Sequence, residues 1–172
     1  MMEVLKLFAQ ISLLRRGPQA LPASGLLLGC TVAAYIAVNC LASSVYPPAA
    51  NWPLLLLADV VFLLVWNALM LQAVHRPERA VQTLTAVFGY QLALAPVLVV
   101  LQSLAQRFHG DPVWEAPVAA AGLVFLVWLV AANTRIVSAA LEWSTGASAV
   151  LVIVQTLADQ LLQSALLVPA RN

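Results

Sequence analysis

Charge is scarce in this sequence. Eight Lys and Arg and seven Asp and Glu are spread over 172 residues, and Lys6 is the single lysine. At a formal net charge of +1 there is no basic field for a nucleic-acid backbone to follow, so nucleic acid is excluded as a partner. Cysteine is nearly missing too. Cys30 and Cys40 lie ten residues apart in one expected helix, ~15 Å along its axis and too far apart to bridge. They read as small buried hydrophobes. No Cys/His cluster has zinc spacing, no phosphate-loop or dinucleotide glycine pattern occurs, and no serine stands in G-x-S-x-G. His75 and His109 are expected on opposite sides of a membrane, where they cannot ligate one haem or metal. The expectation is a protein that is not an enzyme, with no cofactor, no catalytic residue and no metal site.

Apolar side chains are abundant instead. The chain is 63% hydrophobic with a mean hydropathy of +0.94, more apolar surface than a soluble domain of this length can hide. It reads as an all-α polytopic membrane protein, five transmembrane helices with an N-terminal interfacial amphipathic helix. The clearest punctuation is His75-Arg76-Pro77-Glu78-Arg79. Pro77 removes a backbone donor and pushes Arg76 away from helical geometry, so the chain turns there.

Residues 1–18 form the amphipathic helix and a basic turn. Val4, Leu7, Phe8, Ile11 and Leu14 share one helical face, and Arg15-Arg16-Gly17-Pro18 follows. Charge after the apolar stretch is the reverse of a signal peptide, so an uncleaved helix on the inner surface is expected. Residues 19–172 form the bundle, with spans at about 25–46, 53–74, 80–105, 118–140 and 147–167, each long enough for a hydrocarbon core of ~30 Å. Trp52 anchors the outer end of the second span, Pro96 is an expected kink in the third, and Thr145 or Ser148 is the expected cap of the fifth. Pro47-Pro48 and Pro53 shape an uncharged outer loop. Lys6, Arg15, Arg16, Arg76, Arg79 and Arg135 fall inside, against Arg107 and Arg171 outside. That bias places the N-terminus in the cytoplasm and the C-terminus outside, and the tight loops suit a bacterial inner membrane.

Gly25, Gly29, Ala33 and Ala37 recur every four residues in the first span, a row that lets another helix approach closely. Packing within the bundle is the expectation, a dimer seam the alternative. Ionisable groups inside a bilayer are costly, which singles out Asp59 and Asp159. They lie ~9 and ~12 Å from the outer ends of their spans, in one layer of the outer leaflet with Asn39. Gln155, Asp159 and Gln163 repeat every four residues as a polar stripe. These groups bond one another across helices, face a partner subunit, or handle protons or ions; all three readings stay open.

Phe88-Gly-Tyr-Gln-Leu-Ala-Leu-Ala-Pro96 resembles the Y-x-L-A-P signature of the Yip-domain family, the Ypt/Rab-interacting membrane proteins and their bacterial relatives. Tyr90 stands slightly further from Ala95-Pro96 than in the usual pattern. The stretch with Trp128, Asn133 and Leu141 to Ala149 is similar to the family's Trp-bearing fourth helix, Gly/Ser break and Ala-led fifth helix. The resemblance covers about Pro53 to Leu167 and implies five spans, a cytoplasmic N-terminus and no enzymatic activity. Eukaryotic members act in trafficking with small GTPases. The present sequence shows no long polar stretch before its first span, so that partner is not carried over.

The leading functional expectation is a non-catalytic scaffold or accessory subunit of a larger membrane complex. Its partners are membrane lipids and other integral subunits, or a second copy of itself. The alternative is a small transporter or channel component that uses Asp59 and Asp159 for proton or ion handling.

Overall fold

The computed structural model describes residues 2–13, 17–45 and 51–167. The expectations placed on Leu14, Arg15 and Arg16, on Pro47 and Pro48 and on Arg171 lie outside them. The elements are α1 (Met2–Ser12), α2 (Gly25–Val45), α3 (Trp52–Ala73), α4 (Ala80–Arg107), α5 (Glu115–Leu141) and α6 (Thr145–Leu166), with 3-10 turns at Pro18–Ala20 and Pro77–Arg79. No strand occurs among the described residues. Among the described residues five helices are long and apolar enough to cross a membrane, which makes this a multi-pass architecture.

The loops follow from their residues. Arg76 leaves helical geometry at φ −128° and ψ 47° ahead of Pro77, and His75 takes a left-handed conformation at φ 57°. At the other end of the bundle Asp111 Oδ1 accepts the backbone N–H groups of Val113 and Trp114, so α5 starts at Glu115, ahead of the expected position. Pro117 sits in its first turn, where no N–H donor is needed. The cap of α6 is Ser144, whose Oγ accepts the Ala147 N–H at 3.3 Å. Thr145 is instead the first helical residue, and Ser148 is buried. α4 runs unbroken through Pro96.

α4 is the hub. Thr83 to Tyr90 are all buried, because α1, α2, α3 and α5 surround this stretch. α2 runs alongside it, with the Tyr35 ring edge-on to Phe88 at 5.3 Å. Three hydroxyls within the helices are satisfied locally: Thr31, Thr85 and Thr156 donate to the carbonyls of Leu27, Val81 and Val152. Asn51 donates to the Leu166 carbonyl and ties the start of α3 to the end of α6.

The amphipathic face of α1 meets protein where the pattern alone pointed to a membrane surface. Phe8, Ile11 and Ser12 are buried against α4 and α5. Phe8 lies over Gly89, nine residues or ~14 Å along α4 from Ala80. The Ser12 carbonyl accepts the Trp128 indole N–H at 2.9 Å. A β-carbon at position 89 would overlap the Phe8 ring, so glycine there is a steric requirement of this docking.

At the Arg79 end, the last carbonyls of α5 are capped by side chains from afar. Gln19 donates to Ala139, Arg79 to Ala139 and Ala140. Glu142, left-handed at φ 57°, pairs with Arg76 and Arg79. Hydrogen bonds from the two guanidiniums hold the Glu142 carboxyl down at about 2. Gln82 donates to the Leu21 carbonyl and fixes the entry into α2.

Two expectations fail on α2. Gly25, Gly29, Ala33 and Ala37 face outwards, and a β-carbon at either glycine would have nothing within 4 Å. The helix packs through Leu28, Thr31, Val32 and Tyr35, a face about 120° around the axis at 3.6 residues per turn. Cys30 and Cys40 are likewise exposed rather than buried.

Gly89→Ala is expected to destabilise the protein by about 1–3 kcal/mol through overpacking. Adding Phe8→Ala should recover part of the loss, since the two changes share one contact. An unaltered unfolding midpoint in G89A would contradict the docking of α1.

Candidate functional site

A partly enclosed cavity of about 270 Å³ lies between the spans. α2 contributes Tyr35 and Asn39, α3 Asp59 and Phe62, and α4 Tyr90 and Gln91. α5 contributes Phe125, Leu129 and Asn133, and α6 Gln155, Thr156, Asp159 and Gln160. Among the described residues no lysine, arginine or histidine lines it. Asp59 and Asp159 each lie seven residues from the helix end opposite the Arg79 clamp, ~10 Å in. The depth arithmetic thus placed both aspartates correctly in one layer.

Each polar side chain arrives by helix register. Gln155 and Asp159 are one turn apart on α6 and face the same way. Asp159 Oδ2 accepts from Gln163 at 2.9 Å, so Gln163 supports the carboxylate from outside the lining. Asp59 Oδ2 accepts the Tyr35 hydroxyl at 2.7 Å. Asn39 lines the cavity while its amide donates to the Tyr35 carbonyl. The expected cluster of Asn39, Asp59, Gln155, Asp159 and Gln163 is therefore assembled at one place. The row Gly25, Gly29, Ala33 and Ala37 is not part of it. Of the family-motif residues, Tyr90 lines the cavity, and Pro96 and Trp128 do not.

The cavity's distinguishing feature is unanswered acceptors. Asn133 Oδ1, Gln155 Oε1 and Asp159 Oδ1 are buried and have no hydrogen-bond partner among the described residues. Gln155 is 3% exposed and Asn133 7%. Buried polar atoms are nearly always paired, because an unpaired one costs roughly 1–3 kcal/mol. Three such unpaired atoms lie around one hollow. Trp66 Nε1, Asn67 Oδ1, Thr83 Oγ1 and Ser148 Oγ are also unpartnered among the described residues, nearer the Arg79 end and outside the lining.

Sequence reasoning gave Asn133, Tyr35 and Gln91 no role at the site. Asn133 does not interrupt α5, and its side chain enters the cavity. The available signal was a polar residue on each of the five spans, although counting from the helix ends places Asn133 and Gln91 deeper than the two aspartates.

No protein-family model, curated protein or solved structure matches the chain.

Proposed function

We propose that this is a non-catalytic integral membrane protein that binds and passes a small cation or proton, working as a small transporter or channel component through Asp59 and Asp159. The observation that carries the reading is the set of buried, unpartnered acceptors beside two carboxylates in a cavity without a basic side chain. Interhelical hydrogen bonds contribute only about 0.6 kcal/mol on average in membranes, so stability is a weak motive for keeping such groups. Carboxylates inside a bilayer are costly and mark ion and proton pathways.

On the orientation proposed from the charge bias, in a bacterial inner membrane with the N-terminus cytoplasmic and the C-terminus outside, the aspartates occupy the outer half. The cytoplasmic half is closed by the buried side chains of Leu71, Val137, Ala140 and Val152. Passage then needs a rearrangement of the helices around α4. The Yip-domain resemblance is retained within this proposal as a likeness of motif, with Tyr90 as its contribution to the cavity.

The test uses proteoliposomes holding the full-length protein, with protons as the probe and an imposed potassium diffusion potential as the driving force. Wild-type protein is expected to admit protons well above protein-free vesicles. Asp59→Asn with Asp159→Asn should abolish that flux while leaving elution on size exclusion unchanged. Equal flux in the two proteins, or none above empty vesicles, would sink the reading.

The exposed row of Gly25, Gly29, Ala33 and Ala37 favours a second reading, a scaffold or accessory subunit that docks another span there. Native mass spectrometry from mild detergent is expected, on this reading, to show a stoichiometric foreign membrane subunit or a second copy. A lone monomer would remove it.

A further inference from the structure

The cavity's chemistry narrows the guest. We infer that the site takes a small organic cation with a primary ammonium group, its nitrogen held by Asn133, Gln155 and Asp159. This deepens the proposed function and rests on it.

Three buried acceptor atoms await donors, and a primary ammonium offers three N–H donors and no acceptor. Its charge answers the Asp159 carboxylate, whose other oxygen is already taken by Gln163. A charge-assisted bond of this kind is stronger than a neutral one, most of all away from water. An anion is excluded, since the described lining has two carboxylates and no basic side chain.

The rest of the lining points away from a bare ion. Phe62, Phe125 and Leu129 present carbon to the hollow, and a volume of about 270 Å³ far exceeds the space of a single desolvated ion. Among the described residues no three His, Cys, Asp or Glu come together as a metal-binding group. An alkyl chain on the ammonium fills that apolar part and releases its water. Aromatic faces add cation–π attraction. Asp59, engaged by Tyr35, stands as a second negative group in the same hollow.

The experiment is isothermal titration of the full-length protein in lipid nanodiscs with n-butylammonium, tetramethylammonium and sodium chlorides, after subtraction of the heats from empty nanodiscs. n-Butylammonium is expected to bind saturably. Tetramethylammonium has the charge but no N–H donor and should bind about tenfold more weakly or worse, a gap of about 1.4 kcal/mol or more. Sodium should not displace n-butylammonium. Asp159→Asn and Gln155→Leu should each weaken n-butylammonium by about tenfold or more. Equal binding of tetramethylammonium, displacement by sodium, or no saturable binding would overturn the inference. The comparison of the two ammonium ions on wild-type protein needs no variant, so it decides even where a variant fails to fold. Aspartate-dependent proton flux without n-butylammonium binding would defeat this ligand class and leave the transport reading standing. Binding without flux would do the reverse.

Discussion

In a hydrocarbon medium a polar atom has no water to fall back on, so each must be answered from within the protein or by a guest. Much of this bundle meets that constraint, with Trp66 Nε1, Asn67 Oδ1, Thr83 Oγ1 and Ser148 Oγ as exceptions away from the hollow. Thr31, Thr85 and Thr156 turn their hydroxyls onto the preceding turn of their own helices. The final carbonyls of α5 receive Gln19 and Arg79. Against that thrift the open acceptors of Asn133, Gln155 and Asp159 stand out, because they lie together and line one hollow.

The rest of the architecture keeps that hollow from collapsing. α4 is enclosed over Thr83 to Tyr90 and holds α1, α2, α3 and α5 at fixed positions. α1 fills the space over Gly89 with Phe8, and Trp128 fastens its end. Arg76 and Arg79 bind Glu142 and so join the α3–α4 turn to the end of α5. Packing is dense towards this clamp and loosens towards the aspartates.

Much of this was legible in the sequence, and the failures share a cause. Span number and approximate limits followed from apolar length, and the shared depth of Asp59 and Asp159 followed from counting residues from the helix ends. Rotation about the helix axis did not follow. α2 to α5 are apolar on nearly every side, so no amphipathic stripe says which face turns inwards. Gly25 and Gly29 therefore looked like an inner packing row, Cys30 and Cys40 like buried residues, and all four face outwards. α6 is more polar, and its stripe of Gln155, Asp159 and Gln163 was read correctly. Asn133 was hidden because a lone amide in a run apolar on every side carries no sign of which way it faces. The contact of Phe8 with Gly89 joins residues 81 apart, and no local pattern announces it.

The account centres on three acceptors that wait for one donor group. The most direct measurement is an experimental map of the full-length protein in nanodiscs, at a resolution that places side-chain oxygens, with n-butylammonium present. The account predicts density for one nitrogen within hydrogen-bonding distance, about 2.7–3.2 Å, of Asn133, Gln155 and Asp159. An empty hollow with those side chains turned to bond one another would contradict it.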